Sequence, residues 1–170
     1  MDEDEHIKEV YAHFGLAMYL AQVLEHGIVN ALIYADLVPR RAGHVRTKEQ
    51  WEAEFDAFMG RHFEVTLGRL LKRLNEHVPV PEGLQANLNA ALKARNHLAH
   101  VFFRERAAPY MSAEGRDGML KELAEAQTIF ERADADLDAV VRPFRMKIGF
   151  TDERLQREYE QMCREAGIDR

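Results

Sequence analysis

The chain has 170 residues and 19.6 kDa, with 46% apolar and 31% charged side chains. That describes one domain of ordinary size, too short for a barrel or for a dinucleotide-binding domain followed by a second domain, and too apolar for a disordered chain. Lys and Arg total 23 against 29 Asp and Glu, a net charge of −6, which argues against a global electrostatic grip on nucleic acid and leaves room only for a local basic patch.

The first predicted helix runs from about Glu5 to Leu37. Ile7, Val10, Tyr11, Phe14, Met18, Ala21, Leu24, Ile28, Ala31, Leu32 and Ala35 recur at steps of three and four along it. Asp2 to Glu5 place negative charge on its positive end, and Pro39 falls just beyond its expected stop. Residues 40–46 read as a loop. Thr47, with Gln50 three residues on, has capping-box spacing. A second helix is expected from there through Trp51, Phe55, Phe58, Phe63, Leu67, Leu70 and Leu74, until Val78-Pro79-Val80-Pro81 ends it. A third opens at Pro81, carries Leu84, Leu88, Ala91, Leu92, Leu98 and Phe102, and stops near Ala107-Ala108-Pro109.

Ser112 is the expected cap of a fourth helix. Leu123, Phe130, Leu137 and Phe144 repeat every seven residues, interleaved with Leu120, Gln127, Asp134 and Val141, so its seam is half polar. Gly115-Arg116-Asp117-Gly118 reads as a turn or a frayed start. Gly149 punctuates, and Thr151 opens a short charged fifth helix, Asp152 to Ala166, with a thin apolar set of Leu155, Tyr159, Met162 and Ile168. The expectation is an all-α, up-and-down bundle of four long helices over 1–148, with a charged helical appendage over 149–170. Tyr11, Phe14 and Tyr19, with Trp51, Phe55, Phe58 and Phe63, are expected in its core.

The single cysteine, Cys163, excludes an internal disulfide and fits a reducing cytoplasm. The acidic N-terminus is unlike a secretory signal, and no apolar run is read as a membrane span. There is no phosphate-loop motif, no H-E-x-x-H and no paired Glu-x-x-His, so neither a cofactor nor a metal is expected.

The predicted third helix carries the chemistry. At about 100° per residue, Arg95 falls inside the stripe of Leu84, Leu88, Ala91, Leu98 and Phe102. A cation there needs a partner or a route to water, because an unpaired buried charge is costly; Glu25 on the first helix is an available carboxylate. Asn96 and His100, four apart, share one flank, whereas His97 falls on the opposite side. Lys93, Arg95, Arg104 and Arg106 make this segment basic, and Arg69, Lys72 and Arg73 form a second basic cluster.

Arg95-Asn96 followed by His100 resembles the R-x4-6-H motif of HEPN domains, a polar residue following the arginine. Ala94-Arg95-Asn96-His97-Leu98-Ala99-His100 with Phe102-Phe103-Arg104-Glu105-Arg106, and Phe14-Gly15-Leu16-Ala17 with Leu24-Glu25, are similar to a bacterial group of that family. The resemblance spans roughly residues 7–143. It implies a metal-independent endoribonuclease whose two copies join their motif helices into one cleft, a toxin or anti-phage effector with a protein antitoxin or regulator as a further partner. His100 would act as general base or acid, Arg95 would hold the scissile phosphate, and Asn96 would orient His100 or bond a phosphate oxygen. Lys93, Arg104 and Arg106 would contact RNA. The other reading is a non-catalytic interaction module, in which Arg95 pairs with Glu25 or with a partner chain.

Overall fold

The computed structural model describes residues 2–45 and 47–168, and Phe63 by its backbone alone. Every regular element among them is helical: α1 (Glu3–Leu32), a π-helical turn (Ile33–Leu37), α2 (Val38–Arg41), α3 (Lys48–Phe63), α4 (Leu67–His77), α5 (Glu82–His100), α6 (Phe102–Glu105), a 3-10 turn (Pro109–Met111), α7 (Ala113–Lys147) and α8 (Asp152–Glu165). The expected all-α bundle is present.

The two longest helices, α1 and α7, form its axis and run parallel. Glu3 pairs with Arg116, His6 with Asp117, and Gln127 donates to the His13 carbonyl, so the register advances together. Helix α5 runs antiparallel to both: Asn87 bonds Asp136 and His97 meets Glu122 across α7, while Glu25 of α1 meets Arg95. Leu24, Ile28, Leu74, Leu88, Phe102, Leu123 and Phe130 fill the space between these helices and are buried.

Local chemistry explains where helices begin. Thr47, Ser112 and Thr151 each accept a hydrogen bond from the backbone N–H three residues on, meeting one of the orphan donors at a helix start. Gly149, at φ 84°, supplies the left-handed residue between α7 and α8.

Several boundaries differ from expectation. The first helix does not stop before Pro39: the ladder shifts to a wider π turn, Val38 N–H bonding the Ile33 carbonyl, and α2 carries on through the proline, whose missing N–H falls where the register changes. The second helix is two helices. Val65 and Thr66, β-branched neighbours with poor helix propensity, separate α3 from α4. The third helix ends at His100, where Val101 (φ −132°, ψ −22°) breaks the helix before α6. Gly115-Arg116-Asp117-Gly118 is neither turn nor frayed end. It lies in the opening turns of α7, with Arg116 buried and its Nη1 donating to the Tyr110 carbonyl.

The aromatic expectation is corrected as well. Phe58 is buried, and Phe14, Trp51 and Phe55 pack partly against the core. Tyr11 and Tyr19, however, are 52% and 60% exposed, and Leu16 joins them on the outside. The Phe63 side chain lies outside the described residues. Helix α1 is therefore apolar beyond its buried stripe. Contrary to the sequence reading, residues 3–41 are long and apolar enough to cross a membrane by length and composition, with 44% of the qualifying window buried in the bundle.

Helix α8 is held by charge. Asp152 bonds both Arg142 and Arg145, Arg145 Nη1 donates to the Phe150 carbonyl, and Arg154 stands over the Phe150 ring at 4.4 Å. The Arg145 hydrogen bond, with the neighbouring Arg142 charge, holds the Asp152 carboxyl below its ordinary value.

Gly115 packs against the Pro109 carbonyl so closely that a Cβ would overlap it. Gly115→Ala should cost about 3 kcal/mol by overpacking. In thermal melts this reads as a fall in Tm of about 6–12 °C; an unchanged Tm contradicts the packing.

His62 offers a pH handle. It is buried, stacks on Phe58, donates from Nδ1 to the Phe58 carbonyl and accepts at Nε2 from Arg73, 3.0 Å away. Burial, and the Arg73 and Arg61 charges, push its pKa below the ordinary imidazole value. The unfolded chain therefore takes up this proton first as pH falls. The His62 contribution to stability is complete above about pH 6.5 and is lost as pH drops through the lower folded-state value. His62→Gln should show a flatter dependence of Tm between pH 7.5 and 5 than the unsubstituted chain.

Candidate functional site

The R-x4-H segment occupies the final turns of α5. Arg95, facing α1 as its place in the stripe requires, is 28% exposed; its Nε lies 3.3 Å from Glu25 Oε1. Its Nη1 donates to Asn96 Oδ1 at 3.4 Å. Asn96 and His100 are exposed, one turn apart. His100 makes no hydrogen bond or ion pair with any described residue. Arg95, Asn96 and His100 thus form one edge, with a guanidinium anchored from behind and an amide and imidazole facing water.

In chemical terms this edge has the groups to meet an anion. The guanidinium is planar and permanently charged; Glu25 meets its Nε and Asn96 accepts from its Nη1, while no described residue is bonded to Nη2. Asn96 is engaged with Arg95; a bond from Asn96 to His100 is absent among the described residues.

The expected RNA contacts separate. Lys93 and Arg104 are exposed. Arg106 is committed to Glu122, Nε to Oε2 at 2.8 Å, and that hydrogen bond raises its pKa further. The break at Val101 also puts Arg104 and Arg106 beyond the helix that carries Lys93, so the three cations do not share one continuous helix. In the second cluster, Arg73 is spent on His62.

His97 does not face away from the bundle, as the helical wheel placed it. It turns onto α7, Nε2 3.1 Å from Glu122 Oε1 and Nδ1 3.8 Å from Glu105 Oε2, with its ring edge-on to Phe102 at 6.1 Å. With Lys93 and Glu125 it borders a cavity of about 370 Å³ floored by Ala94, Leu98 and Ala126. Sequence reasoning missed Glu122 because it lies 25 residues from His97 on another helix. The available signal was a basic pair, His97 and Arg106, placed where α5 and α6 must cross an acidic stretch of α7.

No group of three or more His, Cys, Asp or Glu among the described residues is placed to hold a metal ion. Comparison with family models, with curated proteins and with solved structures finds no match to this chain.

Proposed function

We propose that the chain is a metal-independent endoribonuclease of the HEPN type, a toxin or anti-phage effector that acts as a homodimer. The observation that carries the reading is the edge at the end of α5: Arg95 anchored by Glu25, beside exposed Asn96 and exposed His100. Two such edges brought together make a cleft with paired guanidinium and imidazole groups, doubled by symmetry. Tyr11, Leu16 and Tyr19 are exposed on α1, and Tyr11 packs on Phe103 just beyond the motif, so α1 offers apolar surface for that pairing.

In the proposed reaction one His100 takes the proton from the RNA 2′-OH, which attacks the adjacent phosphorus. The bond to the 5′-oxygen breaks, and that oxygen receives a proton from the other His100. Arg95 stabilises the charge gathering on the phosphoryl oxygens. The products are a 2′,3′-cyclic phosphate and a 5′-OH, with no metal required. The test is incubation of the dimer with mixed RNAs in EDTA, followed by end-group analysis. Cyclic phosphate ends that disappear with His100→Ala support the reading; intact RNA, or cleavage kept by His100→Ala, overturns it.

The Arg95–Glu25 pair favours a second reading, an interaction module in which the motif is structural. On that reading Arg95→Ala and His100→Ala shift the dimer to monomer on size-exclusion, and RNA stays intact.

A further inference from the structure

A cavity of about 320 Å³ lies between the second half of α1 and α7, on the other side of α1 from the motif edge, with α8 closing one end through Leu155. Asn30 and Tyr34 contribute from α1 and the π turn, and Asp134, Asp138 and Arg145 from α7. Along α1 it continues into a second hollow that shares Gly27, Asn30 and Asp134 and opens toward Tyr19 and Gln22, giving a route in from solvent.

The charges in this cavity do not balance. Arg145 is buried, with 6% exposure, and its outer nitrogens are spent on the Phe150 carbonyl and on Asp152. Its Nε is 3.9 Å from Asp138 Oδ1 and lacks a hydrogen-bond partner among the described residues. Asp138 is thereby answered. Asp134 is not: it makes no hydrogen bond or ion pair with a described residue. Burial, with the Asp138 charge nearby, pushes its carboxyl up from its ordinary value.

Gly27 points the same way. It sits within a 30-residue helix, where alanine is the favoured small residue. A Cβ at that position would stand 3.0 Å from Asp134 Oδ1 and 3.4 Å from Leu137 Cδ2. The glycine keeps the carboxylate's approach open at some cost to the helix.

We propose that this cavity binds a small organic molecule bearing one primary ammonium group. One unanswered carboxylate matches one positive charge. The ammonium's three N–H donors match the acceptors of Asp134, Asn30 and the Tyr34 hydroxyl. Leu137, Val141 and Leu155 present an apolar wall for the rest of the molecule. This site is independent of the ribonuclease reading, and its test uses no RNA.

The test is titration of the full chain with n-butylammonium chloride at constant ionic strength, followed by thermal melting and by amide NMR. The expected result is a saturable rise in Tm, with shifts centred on Gly27, Asn30, Tyr34 and Asp134. Uncharged 1-butanol should give neither. Asp134→Asn should raise the Tm of the free chain, because it removes an uncompensated charge, and should weaken n-butylammonium at least tenfold. Gly27→Ala, which fills the approach, should weaken it too and decides the matter if Asp134→Asn does not fold. Absence of saturation overturns the proposal, as does unchanged binding by Asp134→Asn or Gly27→Ala. A lower Tm in free Asp134→Asn, or the same shifts produced by calcium chloride, also overturns it.

Discussion

His100→Ala is expected to abolish RNA cleavage, by about 10²–10⁴-fold, the usual contribution of a positioned general acid or base. The same substitution should leave Tm within about 2 °C, because surface changes away from packed features stay within about 0.5 kcal/mol. His100 is exposed and unbonded among the described residues, so the fold has little to lose. Arg95→Ala should also remove cleavage but lower Tm, since it strands the Glu25 carboxylate at a site only 21% exposed. Exchanging the pair, Arg95→Glu with Glu25→Arg, separates the two roles. The exchange should recover stability without activity. Recovery of cleavage by the exchange contradicts a phosphate-binding Arg95.

Phe102→Ala is expected to have the largest effect on stability, about 3–5 kcal/mol, as for other large-to-small changes at a sealed core position. Phe102 is 0% exposed and sits among aromatic rings: Phe14 stacks at 5.9 Å, Phe103 meets it edge-on at 5.1 Å, and His97 at 6.1 Å. It is also the residue that α6 delivers to the core just after the break at Val101. Removing it takes away the floor beneath the end of α5, where the motif closes at His100. Thermal melts should show a fall of about 6–20 °C. Tyr19→Ala, at a ring 60% exposed on α1, should change Tm by less than about 2 °C. Equal losses from the two would contradict the burial pattern.

Much of this architecture is legible in the residues, and the parts that are not have identifiable physics. Leu123, Phe130 and Leu137 repeat at seven and are buried along α7, as their spacing predicts, and the three side-chain caps are where hydroxyl residues precede helical runs. The proline at 39 misleads because a π turn absorbs its missing donor. The breaks at Val65-Thr66 and Val101 carry neither proline nor glycine, only β-branched residues that a helix tolerates elsewhere. Val101-Phe102-Phe103 is apolar without interruption, yet the helical period puts Phe102 in the stripe of Leu84 and Leu88, and Phe102 is the buried ring. At the candidate site, the Arg95–Glu25 pair is readable because both residues border apolar stripes. The Glu122 link to His97 and Arg106 is not, since it depends on how far α6 turns after the break. Asp134 was visible as the polar member of a half-apolar seam; that it lines a cavity follows only from Gly27 opposite it.

The parallel pairing of α1 and α7 sets a timetable for synthesis. The groups that lock the two helices together are separated by roughly 110 residues, from Glu3 to Arg116 and from His13 to Gln127. At 5–20 residues per second, α1 waits about 5–20 s after emerging from the ribosome before its main partner exists. For most of that wait one of the most apolar segments of the chain has only α4 and α5 to pack against, and its face toward α7 stays uncovered. Nascent chains stalled before residue 113 should therefore be the form most prone to capture by chaperones or to aggregation. Release should come only after α7 is complete, and the chain should fold more slowly than helical bundles built from neighbouring hairpins.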